Sequence, residues 1–323
     1  MRMIVRYWVS CGLGAFALFA PSRHAGLFSE IAAAQDVASY NLNLPVDEVS
    51  VIFHTEDGHG QPVNDLKIDE LSLLDNGKPP RRILAFQSLH DPPIRAGILM
   101  DTSQTMQTSL QTDRAIAIKF ARTKLRQTID RGFVMDFGGL SSIAQSWTND
   151  TNALIAGIRN GRVAAGTESR DGGTAMFDSV YRACLNQFGR IDNSNSGNLI
   201  LLFSDGNDNL SQADLRLAVD ICQHTNTMIY VFRAESESGA SIGPKNLADL
   251  ASETGGRIFH NDDSDAKVEE DLRTIEDDLR NQYRLVYKPS ELKYDGSFHR
   301  IELKVPERAQ KVVVRSGYYA PVR

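Results

Sequence analysis

Several chemistries are missing from this chain before any feature is sought in it. The seven histidines form no His-Glu-x-x-His pair and no close pair of another kind, so the sequence offers no zinc-hydrolase signature. No Gly-x-Gly-x-x-Gly leads from a strand into a helix, which removes a dinucleotide-binding reading. No Gly-x-Ser-x-Gly elbow surrounds Ser204, and Ser103 stands where a phosphotransfer or haloacid-type hydrolase needs a second carboxylate after Asp101. Positive charge is in deficit, with 35 Lys+Arg against 41 Asp+Glu for a formal net charge of -6. An acidic chain of this kind is a poor match to phosphate backbones, and nucleic acid is excluded as a main partner. Outside the N-terminus no apolar run is long enough to span a bilayer.

The N-terminus itself reads as an export leader. Arg2 and Arg6 precede an apolar stretch from Tyr7 to Ala20, and Ala32-Ala33-Ala34 before Gln35 forms a small-residue cleavage site. The expected leader is residues 1–34, and an uncleaved N-terminal anchor is the alternative. Removing Arg2, Arg6, Arg23 and Glu30 takes away three positive charges and one negative, so -6 becomes -8. The expected location is the periplasm, the cell surface or the medium. Of three cysteines, Cys11 leaves with the leader. Cys184 and Cys222 lie in helix-like segments on one face of the expected sheet; a disulfide and two separate buried thiols both remain open.

Residues 38–92 look β-rich, with Val49, Val51 and Phe53 alternating and turn signals at Asp57-Gly58 and Asn76-Gly77. From about residue 93 to 280 strands alternate with helical periodicity, the pattern of βα units around a mostly parallel sheet. A helix is expected from Met106 to Ile129, strands at 133–137, 142–147, 199–203 and 228–232, and helices at 176–188, 212–224 and 246–253. Asp265 is expected to cap a last helix whose many acidic residues read as a solvated face. Residues 281–323 return to strands. Three terminal strands alone leave an apolar face exposed, so both chain ends are expected to pair into one small sandwich, with a doubly wound α/β domain inserted.

Two of the buried-strand patterns end in aspartate. Ala96-Gly-Ile-Leu-Met100 runs into Asp101-Thr-Ser103-Gln-Thr105, and Leu199-Ile-Leu-Leu-Phe203 runs into Ser204-Asp205. In an open α/β sheet, ligands bind beyond the carboxyl ends of the strands where strand order reverses, so the two carboxylates can share one crevice. With the hydroxyls of Ser103 and Thr105, and of Thr174 in Asp171-Gly-Gly-Thr174, they form an oxygen-only set suited to a hard divalent cation. The expected ion is Mg²⁺ or Mn²⁺. Asp205-Gly-Asn207-Asp-Asn209 is not a calcium loop, because Leu210 and Arg216 occupy the positions that require Gly and Glu; residues 207–209 read as a solvated turn.

Asp101-Thr-Ser103-Gln-Thr105, Gly173-Thr174 and Asp205-Gly206 together resemble the metal-ion-dependent adhesion site (MIDAS) of von Willebrand factor type A (vWA) domains. That motif is Asp-x-Ser-x-Ser followed by a distant Thr and a distant Asp. The flanks Asp57-Gly-His-Gly-Gln-Pro-Val63, Leu74-Leu-Asp-Asn-Gly-Lys-Pro79 and Gly317-Tyr-Tyr-Ala-Pro321 are similar to a bacterial vWA-related family best known from Acidobacteria. Thr105 replaces the usual Ser and keeps the hydroxyl, while Gln104 stands where close relatives often have Gly. The resemblance implies Ser103, Thr105 and Thr174 as direct ligands, with Asp101 and Asp205 acting directly or through water. It further implies capture of an Asp or Glu on an envelope or extracellular protein, hence adhesion or scaffolding rather than catalysis. A scaffold whose cation only stabilises loops and a metal-assisted hydrolase are the competing expectations.

Overall fold

The computed structural model describes residues 48–161, 173–191, 195–234 and 242–322. The expected leader, the strand-like start at 38–47, and Asp171 and Gly172 lie outside the described residues. All described residues belong to one compact unit, Leu44–Arg323, and no helix among them is long and apolar enough to cross a membrane.

The centre of the molecule is a six-stranded sheet. Its strands are β4 (Ile94–Asp101), β5 (Arg131–Phe137), β6 (Ser141–Thr148), β7 (Gly197–Ser204), β8 (Thr227–Arg233) and β9 (Ile258–His260), in the order β6-β5-β4-β7-β8-β9. All neighbours are parallel except the β5–β6 hairpin. The chain leaves β4 toward β5 on one side and returns to β7 on the other, so strand order reverses between β4 and β7. β7 is buried along its whole length. Its continuous run of apolar residues follows from helices covering both faces of the sheet.

On one face Ile98, Met100, Leu201 and Phe203 pack against α1 (Leu110–Thr123), α2 (Thr151–Asn160) and α6 (Asp265–Arg280). On the other, Leu99, Ile200, Leu202 and Val231 meet α3 (Met176–Asn186), α4 (Leu215–His224) and α5 (Gly243–Thr254). Cys184 on α3 and Cys222 on α4 are joined by a disulfide across 38 residues. Closing a loop of that length restricts the unfolded chain by roughly 3–4 kcal/mol in chain-entropy terms.

The remaining strands are β1 (Val49–Glu56), β2 (Ser72–Asp75), β3 (Arg82–His90), β10 (Asn281–Lys288), β11 (Phe298–Lys304), β12 (Lys311–Val314) and β13 (Gly317–Tyr319). They form two antiparallel sheets, β12-β1-β10-β3 and β13-β11-β2. Each contains strands from both ends of the sequence. Val51, Phe53, Leu73, Tyr283, Leu285, Ile301 and Leu303 fill the space between them. The architecture is therefore a doubly wound α/β unit inserted in a small β-sandwich built by the two chain ends.

Three local expectations are corrected, and one element is added. The helix read over Met106–Ile129 is shorter, Leu110–Thr123. A 3₁₀ turn at Gln104–Met106 precedes it, and Thr128 at φ 74° is incompatible with helix beyond it. Ser264, not Asp265, caps α6, accepting the N–H of Lys267. Nor is the acidic face of α6 wholly solvated, since Asp271 and Asp278 are each 2% exposed. α2 is an element absent from the sequence reading, although Asp150 caps it by accepting the N–H of Asn152.

Candidate metal centre

Met100 of β4 sits beside Phe203 of β7, which puts Asp101 and Asp205 at the carboxyl ends of adjacent parallel strands. Both are buried, at 1% and 2% exposure. Asp101 accepts the backbone N–H of Ser103 at 3.0 Å on one oxygen and the hydroxyl of Ser204 at 2.7 Å on the other. The same Ser204 oxygen accepts the N–H of Gly206 at 3.0 Å, so this fully buried hydroxyl locks the two strand ends to each other. Asp205 is held by Asn207, whose backbone and side-chain N–H groups reach its two oxygens at 3.0 and 2.9 Å. Gly206 at φ 80° lies against the start of α5, where a Cβ would come within 2.2 Å of the Gly243 carbonyl oxygen. Only glycine fits that turn.

The hydroxyls of Ser103 and Thr105 are 3.3 Å apart; Ser103 is buried and Thr105 exposed. Thr174 is buried and clamped to the loop that carries Asp205. Its N–H donates to Oδ1 of Asn209 at 2.8 Å, and its carbonyl accepts the N–H groups of Asn209 and Leu210, each at 3.1 Å. The next residue, Ala175, donates to Gly138 beyond β5 at 2.8 Å. Residues 207–209 are thus not a solvated turn. Asn207 orients Asp205, Asn209 holds Thr174, and Asp208 accepts the N–H of Phe177 in the first turn of α3 at 2.8 Å. Sequence alone hid these roles, because each bond reaches across about thirty residues or depends on the loop closing on itself.

Burial pushes the Asp101 carboxyl up to about 6; the charge of Asp205 adds to the rise, while hydrogen bonds from Ser103 and Ser204 oppose it. On α1, Asp113 is fully buried, accepts a hydrogen bond from Asn261 at 2.8 Å, and leaves its Oδ2 without a partner. Burial pushes it up to about 7, with the Asp101 charge adding and the Asn261 bond opposing. No Lys or Arg among the described residues forms an ion pair with Asp101 or Asp205. Buried carboxylates persist when they are paired or bind a metal. A donor set of two carboxylates and three hydroxyls fits a hard divalent cation.

A second group of possible ligand atoms unites His54, Glu56 and Asp278 within 4.8 Å of one another. Arg257 already lies among them, donating to Asp278 at 2.8 and 3.0 Å and to Glu56. His54 approaches Asp278 at 2.7 Å, and Lys311 reaches Glu56 at 3.0 Å. Burial alone would raise Asp278, but His54 and Arg257 outweigh it and hold the carboxyl below its ordinary value. With a guanidinium in place, the group is an ion-pair network joining β1 of the sandwich to α6 of the inserted unit. Its residues lie some two hundred positions apart, beyond the reach of sequence patterns.

No family model matches the chain, and no curated protein matches it. Solved structures do. A conserved hypothetical protein, BatB from Bacteroides thetaiotaomicron, aligns over 56% of this chain and 97% of its own at 13% identity and TM-score 0.46. Proximal thread matrix protein 1 from the mussel byssus, in a form with a zinc-occupied MIDAS motif, aligns over 58% of this chain and 48% of its own at 14% identity and TM-score 0.46. A von Willebrand factor type A protein from Catenulispora acidiphila aligns over 85% of this chain and 73% of its own at 14% identity and TM-score 0.44. The structural neighbours of this chain therefore include von Willebrand factor type A proteins.

Proposed function

We propose that this chain is an exported binding protein that captures an acidic side chain of a partner through a divalent cation, Mg²⁺ or Mn²⁺, held by Asp101, Ser103, Thr105, Thr174 and Asp205. The observation that carries the reading is the pair of buried carboxylates at the strand-order reversal, unaccompanied by Lys or Arg among the described residues. Ser204 and Asn207 fix the directions of the two carboxylates, and Asn209 fixes Thr174. Thr105 is the exposed member of the set and marks the side from which a partner approaches. When bound, the ion would be held largely by neutral hydroxyls and water with two carboxylates balancing its formal charge, and a coordination position left to water would be open to a third carboxylate from a partner. The leader-like sequence of residues 1–34, with Arg2 and Arg6 before an apolar stretch, supports placement outside the cytoplasm, with envelope or extracellular proteins as partners.

The test is capture of envelope proteins on the immobilised chain. Retention is expected in Mg²⁺ and not in EDTA, and is expected to be lost with Asp101→Ala and after amidation of the prey's carboxyl groups. Retention indifferent to chelator, to the variant and to amidation contradicts the reading.

A further inference from the structure

A cavity of about 590 Å³ opens where the sandwich meets the inserted unit, and no side chain of the metal centre lines it. Its volume is in the range that takes small molecules, and such sites favour the junction between structural units. One wall is the face of α6 from Glu270 to Asp278; another is the loop after β1, from Glu56 to Pro62. This loop belongs to the segment Asp57–Val63, whose sequence stood out among the flanks and which takes no part in the metal centre. The loop is fixed from within. Oδ1 of Asp57 accepts the N–H groups of His59 and Gln61 at 2.8 and 2.9 Å, and the Gln61 carbonyl accepts the N–H of Asp57 at 2.8 Å. His59 and Gln61 are thereby held at the cavity, both exposed.

The cavity carries unmet hydrogen-bonding capacity, whereas folded proteins pair nearly all of their buried polar atoms. His54 and Asp271 both line it and are each 2% exposed. Each leaves one atom without a partner, Nδ1 of His54 and Oδ2 of Asp271. The other end of each side chain is engaged, Nε2 of His54 with Asp278 at 2.7 Å and Oδ1 of Asp271 with Lys267 at 2.9 Å. Arg273 and Asp277 line the cavity as well, and among the described residues neither forms a side-chain hydrogen bond or an ion pair. Phe259, half-buried, adds an apolar surface.

We infer that this cavity binds a neutral saccharide, whose hydroxyls meet Asp271, Arg273 and Asp277 of α6 and Gln61 of the loop. Five Asp or Glu and four Lys or Arg line the cavity, so the charges nearly cancel and a strongly charged ligand gains little. The walls instead place open acceptors, Asp271 and Asp277, beside open donors, Arg273 and the Gln61 amide. A hydroxyl donates and accepts at once, and so serves both kinds of group, and His54 whichever of its ring nitrogens carries the proton. An ammonium group only donates and a carboxylate only accepts, so each leaves half of these groups unmet. Phe259 offers a surface to the C–H face of a sugar ring, the pairing of one apolar face with several directed polar groups that small-molecule sites use. The site is separate from the metal centre, and its test does not depend on that reading.

Saturation-transfer NMR and calorimetry on the purified chain test this, with cellobiose, maltose, N,N′-diacetylchitobiose and a printed array of neutral glycans as probes. At least one probe is expected to bind saturably, equally in EDTA and in Mg²⁺, and equally to Asp101→Ala. The Arg273→Ala, Asp277→Asn double variant is expected to weaken that binding about tenfold, the loss of one or two hydrogen bonds, with the thermal midpoint of the wild type. Should that variant fold poorly, Gln61→Ala removes an exposed amide from the other wall and is expected to weaken binding severalfold. A wild type that binds no glycan, or binding that survives both variants, overturns the inference. Preference for putrescine or citrate over every sugar also overturns it, since the cavity would then belong to a charged ligand.

Discussion

Asp75→Ala is expected to destabilise the protein by about 3–5 kcal/mol. Asp75 is 4% exposed and receives three side-chain donors: the hydroxyls of Tyr287 at 2.8 Å and Tyr318 at 2.7 Å, and Nδ1 of His299 at 2.7 Å. These arrive from β10, β13 and β11, so one carboxylate of the N-terminal half gathers three strands of the C-terminal half. Burial first, and the Asp75 charge second, hold the Tyr287 hydroxyl far above its ordinary pKa, so it remains a donor. Alanine would leave the Tyr287 hydroxyl without its carboxylate, and the Tyr318 hydroxyl and His299 Nδ1 with only each other, 3.2 Å apart. Urea unfolding measures the effect, and limited proteolysis is expected to open the segment before β4 as well as the C-terminal strands. A loss under about 1 kcal/mol would show that the donors find other partners and that the cluster does not join the chain ends.

The second large effect has the opposite sign. Asp113→Asn is expected to stabilise the metal-free protein at pH 8, by up to about 4 kcal/mol, with almost no effect below pH 4. Burial holds the folded-state pKa at about 7, against an ordinary value of 3.8. Between those values the folded protein keeps a proton that the unfolded chain releases. Stability from this group is therefore greatest below 3.8, falls as pH rises, and levels off above 7. Asparagine copies the neutral carboxyl and can still accept the Asn261 bond, so the fall disappears. Thermal unfolding of wild type and variant in EDTA across pH 4 to 8 provides the comparison. Parallel curves, or a variant less stable at pH 8, would mean that Asp113 is ionised at little cost in the fold.

The alternating strands were readable because a strand's environment repeats every two residues, and the apolar runs of β4 and β7 because helices cover both faces of the central sheet. Ser103 and Thr105 were readable because they follow Asp101 within one short loop. Thr174 and Asp205 stood out through the order and spacing of the motif. The cap Asp150 and the apolar Leu154, Ile155 and Ile158 of α2 were present in the sequence as well, but the helix is ten residues long and its pattern correspondingly weak. Asp113 was hidden for a different reason. An acid inside an amphipathic helix ordinarily faces water, and only the three-dimensional placement of Asn261, 148 positions away, shows that it does not. Asn207 to Asn209 illustrate the same limit, since polar loop residues look solvated until the groups they bind are known.

The central claim is that the buried oxygen cluster at the ends of β4 and β7 holds a divalent cation. Calorimetric titration of metal-stripped protein with Mg²⁺ and with Mn²⁺, beside a folded Asp101→Ala variant, tests it most directly. Saturable single-site binding in the wild type and none in the variant is the predicted result. Wild type that binds neither ion, or a variant that binds as the wild type does, would contradict it.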